Sequence, residues 1–256
     1  VNADYATFGD AGKGWLNIYM NTFASSALTL GAQATGVGTV SLNYYGGSYL
    51  TTSTLVVGGA GAGHFNLTAG IVTVGSSMYV GYAAGGSGTV TIGGGGVFSA
   101  NNVYLGYSGS GKLLINGGTA TLGNLSVGSG ANGSGAITLS SGTLAGGLYL
   151  GDSGTGTLQI NGGTAAFTSL YLGFNTNGSG MATLSSGALA ALGTTYLGYN
   201  GYGSLHINGG NSSFSQMYIG YFSTASGVMT LSSGTLTASA INVGEQGVGK
   251  WHVIGG

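Results

Sequence analysis

The side chains with acid–base or metal-binding chemistry are few: Asp4, Asp10, Asp152, Glu245, His64, His206 and His252, with no cysteine. Paired-carboxylate hydrolysis needs two acids roughly 5–10 Å apart. Asp152 has no second acid within two repeats of it, and the chain has no arginine to support a carbohydrate-cleaving site. His206 and His252 share a position in the repeat but sit two repeats apart, roughly 10 Å at strand spacing. Metal ligation demands donors near 2 Å from one ion. These residues therefore predict no enzyme, no cofactor and no metal centre. Asp10 and Glu245 would meet only across a junction between two copies, where a structural cation is conceivable. A different chemistry is suggested by tyrosine. Tyr79, Tyr104, Tyr149, Tyr171, Tyr196 and Tyr218 recur at one position, interrupted at Ser126, and a nearby column holds Tyr82, Tyr107, Phe174, Tyr199 and Tyr221. Aromatics repeated at this interval stack on one another and stabilise a sheet. Lateral association of filaments and binding of polysaccharide are the two alternative uses of such an outward ladder.

What must position these residues is a repeat. Eleven glycines (Gly14, Gly38, Gly63, Gly88, Gly111, Gly135, Gly156, Gly180, Gly203, Gly227 and Gly249) follow one another at intervals of 21 to 25 residues. The second and fourth residues after each glycine are apolar, as in Leu16/Ile18, Phe65/Leu67, Leu158/Ile160 and Trp251/Val253. That alternation is the period of a β-strand. A second strand follows about a dozen residues later, as in Leu148-Tyr149-Leu150-Gly151, and a shorter stretch such as Thr164-Ala165-Ala166-Phe167 forms a third face. Paired glycines at Gly117-Gly118, Gly162-Gly163 and Gly209-Gly210 are expected to turn the chain with positive φ. One such coil cannot bury its apolar side, whereas stacked coils can. The expected fold is all-β: a single parallel β-helix (β-solenoid) over residues 1–256, right-handed and three-faced, of about eleven coils.

Composition agrees. Charged residues make up 3% of the chain, glycine supplies 58 positions and proline none. Collagen requires proline and a Gly-X-Y period, and disorder requires low hydrophobicity with high net charge. Here 43% of residues are hydrophobic and the net charge is −1. With three Lys and no Arg, neutralisation of nucleic-acid phosphates is excluded. No apolar run approaches the roughly 18 residues of a membrane span. A Ser/Thr/Asn/Gly/Tyr surface suits an extracellular location. The first residue is Val1 rather than Met, so a removed leader or a longer parent chain is expected. An ice-binding face would need regular threonines, but Thr91, Thr138, Thr183 and Thr230 occur only on alternate coils.

The pattern Gly-x-Gly-x-Leu-x-Ile-x-Gly-Gly followed by Leu-Tyr-Leu-Gly resembles the repeats associated with autotransporter passengers and PEP-CTERM exported bacterial proteins. The resemblance is clear in 88–256 and weaker in 1–87. It implies a β-solenoid fold and export to the cell surface, and it transfers no catalytic residues.

The two ends read as complementary parts of one coil. Residues 249–256 form its first part. Residues 1–13 form its second, because Gly9-Asp10-x-Gly12-x-Gly14-x-Leu16-x-Ile18 parallels Gly151-Asp152-x-Gly154-x-Gly156-x-Leu158-x-Ile160. Asp4, Asp10, Lys13, Glu245 and Lys250, five of the seven charged residues, lie there together with Trp15, Trp251 and His252. Stacked head to tail, Lys250 would face the next copy's Trp15, and Glu245 would meet the next copy's Asp10, a repulsion that Lys13 or a cation must offset. The expected function is structural: the chain is its own partner in a head-to-tail filament at the cell surface. The alternative is a surface adhesin that holds glycan on its tyrosine face.

Overall fold

The computed structural model describes residues 2–19, 21–43 and 47–255. Val1 and Gly256, the outermost residues of the two expected end segments, lie outside them. Among the described residues sixteen strands, from Asn2–Phe8 to Val248–Val253, form one sheet, and each recorded pairing is parallel. No helix among them is long and apolar enough to cross a membrane. The molecule is a β-solenoid of about ten turns.

Register follows the repeat. The eleven glycines pair each with the next without slippage, from Gly14↔Gly38 to Gly227↔Gly249. A second ladder runs Phe8, Leu30, Val57, Val80, Leu105, Val127, Leu150, Leu172, Leu197, Ile219, Val243. Between them a short middle ladder links Phe23, Leu50, Val72, Phe98, Ala120, Leu144, Ala165, Leu189, Ser212 and Leu236. Register shifts fall between ladders, for example between Phe167 and Ser169. Corners thus absorb the variation in coil length, and the ladders stay aligned. The apolar inward residues of all three form one continuous core, buried from Ile18 to Met229, with Phe8, Leu16, Leu231 and Leu236 partly buried against it. Burying each Leu, Ile or Val side chain is worth roughly 1.5–3 kcal/mol.

Two glycine columns hold the corner before the first ladder, for different reasons. The glycine that closes the second ladder is left-handed in every coil from Gly9 to Gly244; Gly151 has φ +67°. A Cβ there would also lie 2.1 Å from the Ser179 carbonyl carbon in the next coil. The opening glycine has no positive φ, but a Cβ on Gly88 would sit 2.0 Å from the Val57 carbonyl oxygen. At the Gly-Gly corners the expectation holds for one residue of each pair: Gly117, Gly163 and Gly210 have positive φ.

Polar side chains enter the buried columns at Thr52, Thr195 and Ser212; Thr52 donates to the Thr54 carbonyl and Ser212 to the Thr235 carbonyl. Thr195 pairs with Leu170 on one side and Met217 on the other, is 0% exposed, and its hydroxyl has no hydrogen-bond partner. An unpaired buried hydroxyl is destabilising.

Two stability changes follow. Gly151→Ala should cost at least about 2 kcal/mol through strain and overlap, whereas Gly93→Ala, with open space around its Cβ, should be near neutral; equal denaturation midpoints would contradict the steric account. Thr195→Val should raise stability by about 1 kcal/mol in the same assay.

Candidate functional site

The most regular surface feature grows directly out of the second ladder. Its middle residue points outward, and Tyr79, Tyr104, Ser126, Tyr149, Tyr171, Tyr196 and Tyr218 are successive register partners. The rings stack nearly parallel: Tyr79–Tyr104 at 5.0 Å, Tyr149–Tyr171 at 4.9 Å, Tyr171–Tyr196 at 5.0 Å and Tyr196–Tyr218 at 5.3 Å. Two residues past the strand end, beyond the left-handed glycine, comes the second column. Tyr82 stacks on Tyr107, Phe174 on Tyr199, and Tyr199 on Tyr221, at 5.3, 5.1 and 5.6 Å. The left-handed turn sets the two columns edge-on, as in Tyr149–Phe174 at 87° and Tyr196–Tyr199 at 80°. The result is a two-column herringbone lattice. Offset stacks and edge-to-face pairs are both favourable, each about 0.5–1.5 kcal/mol.

Packing alters the chemistry of the rings. Burial pushes the Tyr196 hydroxyl up from its ordinary 10.0 to about 12, with the neighbouring Tyr171, Tyr221, Tyr199 and Tyr218 adding to the effect. Tyr171 is raised for the same reasons, burial first, then Tyr149 and Tyr199.

The lattice has one interruption, at Ser126 in the first column and at Ser129 and Asp152 in the second. There Asp152 reaches back one coil. Ser126 Oγ donates to Asp152 Oδ2 at 2.7 Å, and Asn175 Nδ2 donates to Asp152 Oδ1 at 2.9 Å. The sequence identifies the gap in the ladder but not this contact, which depends on which way a corner side chain turns. The coincidence of the Ser126 gap with the acid of the next coil is the available signal.

The residues expected at a junction lie at the two ends. Asp4, Asp10, Lys13 and Trp15 are exposed at one end; Glu245, Lys250, Trp251 and His252 are exposed at the other. One chain does not bring the two groups together. Gln33 Nε2 donates to both Asp10 carboxylate oxygens at 3.3 Å. The register carries Trp15 and Lys250 in one outward column and Leu16 and Trp251 in one inward column. His206 and His252 are separated by Thr230 in theirs. Among the described residues no three carboxylate, imidazole or thiol side chains gather in one place.

Comparison with known proteins finds no matching family model, curated protein or solved structure.

A raised tyrosine pKa links the lattice to stability. The unfolded chain releases this proton near pH 10, and folded Tyr196 holds it to about 12. Its stabilising contribution is therefore complete below pH 10 and lost as pH rises from 10 to 12. Denaturation midpoints should fall across that window, and Tyr196→Phe should reduce the fall. A single tyrosinate absorbance step near pH 10 would contradict the assignment.

Proposed function

We propose that this protein is an extracellular structural protein whose copies stack head to tail into a continuous β-solenoid filament. The observation that carries the reading is the state of the two edges. Among the described residues strand Val248–Val253 pairs only with Ser226–Val243, and Lys13–Ile18 only with Val37–Asn43. Inward-column residues lie uncovered there: Trp251 is 44% and Val253 62% exposed. Unpaired parallel edges with exposed apolar side chains template further strands.

The edges match column by column. With a second copy continuing the ladders, Gly249 lies under the next copy's Gly14, Gly244 under its Gly9, and Val243 under its Phe8. Trp251 packs on Leu16 and Val253 on Ile18. Lys250 comes beside Trp15, which is 71% exposed. That cation–π contact is worth about 0.5–2 kcal/mol. Glu245 stacks near Asp10, and Lys13 is the basic group closest in sequence to offset that repulsion. A head-to-tail contact of this kind does not close on itself, so it generates a fibre.

The adhesin reading draws less support. Sugar rings bind the faces of aromatic side chains, and in this ladder most faces are already covered by the next tyrosine. The extracellular assignment rests on composition: three Lys and no Arg leave few cleavage points for trypsin-like proteases. Surface labelling of intact source cells with an antibody to the chain tests it, and an exclusively internal signal would remove it.

Electron microscopy of the purified chain should show unbranched fibres with an axial subunit repeat of about 50 Å, eleven coils at strand spacing. Trp251→Asp, which places a charge in the junction core, should abolish fibres and leave circular dichroism unchanged. Discrete short rods at every concentration would overturn the proposal.

A further inference from the structure

Stacking gives the tyrosine lattice few free ring faces. Within a run of rings each face is covered by the coil above or below, and only the end rings keep one open. Tyr104 has ring contacts with Tyr79 and Tyr107, and Tyr149 with Tyr171 and Phe174; neither reaches the other across the Ser126 coil. Two open faces therefore look at each other over two coil steps. One step in the ladder is 4.9–5.3 Å between ring centroids, so the gap is roughly 10 Å. A planar group midway would stand at the interval at which the ladder's own rings stack.

The floor and wall of this notch are polar. Ser126, 8% exposed, forms the floor. Asp152 occupies the second-column position of the next coil, and its carboxylate bends back over the notch to Ser126. Asn175 holds the other carboxylate oxygen and also donates to Ser153 Oγ at 3.0 Å. Each oxygen accepts one bond from these neighbours, which leaves lone pairs on both. Among the described residues no ion pair engages Asp152. The lattice thus contains, beside the gap between two ring faces, a carboxylate held by two hydrogen bonds and by no ion pair among the described residues.

We propose that this notch is a binding site for a guanidinium group, supplied by an arginine side chain of another protein. Three features select that chemistry. Both ring faces attract a cation within about 6 Å of the centroid. A slot between parallel rings favours a planar cation over a tetrahedral ammonium. The fork of a guanidinium matches the free lone pairs of a carboxylate. The occupant comes from outside these 256 residues, which contain no arginine. The site stands on the ladder interruption and is independent of end-to-end assembly.

The test is titration of the intact protein with N-acetyl-arginine amide, followed by tyrosine fluorescence and by chemical shifts of the tyrosine rings. Saturable binding should perturb Tyr104 and Tyr149 and exceed that of N-acetyl-lysine amide. Asp152→Asn should weaken it about tenfold, the size of one charge-assisted contact. Ser126→Tyr, which continues the ladder through the gap, should abolish it while circular dichroism stays unchanged. Equal binding by either variant would overturn the assignment. So would stronger binding of a methyl glycoside than of the arginine derivative, which would make the notch a sugar subsite.

Discussion

Everything in this molecule depends on laying each coil of backbone directly on the one before it, at hydrogen-bond distance and without slippage. That constraint decides composition before it decides side-chain chemistry. Where the chain turns between the second ladder and the first, adjacent coils come so close that a Cβ on Gly88 or Gly151 would overlap neighbouring backbone. Glycine is therefore required in two columns of every coil. Proline, which lacks the N–H that each ladder needs, is absent. Charge is scarce for a related reason. A charged residue repeated at the coil period would face its own copy at about 4.8 Å, and like charges directly opposite are destabilising.

The same rule that excludes charge rewards groups that gain from self-stacking. Apolar residues repeated inward make a continuous core. Tyrosine repeated outward makes the herringbone lattice, which is an extension of strand register into aromatic packing. The tyrosine column runs from Tyr79 to Tyr218, and the apolar columns run on to the last described coil, where the inward Trp251 and Val253 are exposed. The tyrosine column is also broken once in the middle, at Ser126, where the acid of the following coil reaches back into the space. The proposed assembly and the proposed guanidinium site are thus two consequences of interrupting a self-stacking column.

Much of this was legible in the sequence because a repeat projects one-dimensional spacing straight onto a three-dimensional column. The opening glycines, the alternating apolar residues and the tyrosine ladder are in the register their spacing implies. The short middle ladder was harder to read, since Phe23, Ala120 and Ser212 share a column without sharing a side-chain type. Glycine was legible as necessary but not in its reason. Positive φ was expected at the Gly-Gly corners, yet the uniform left-handed column follows Leu-Tyr-Leu, as at Gly151. The opening glycines are there for space instead. The contact of Asp152 with Ser126 was not legible, because spacing gives the height of a side chain in the stack but not the direction in which a corner residue turns.

The central claim is that the open edges of the stack bind another copy in continuous register. Amide hydrogen exchange of Val248–Val253 tests it most directly. Alternate amides of this strand point away from the strand before it and meet no further strand among the described residues. The account predicts that they exchange freely in dilute solution and become protected as concentration rises, together with fixation of the exposed Trp251 ring. Exchange at these amides that stays fast and independent of concentration, while the interior ladders remain protected, would contradict it.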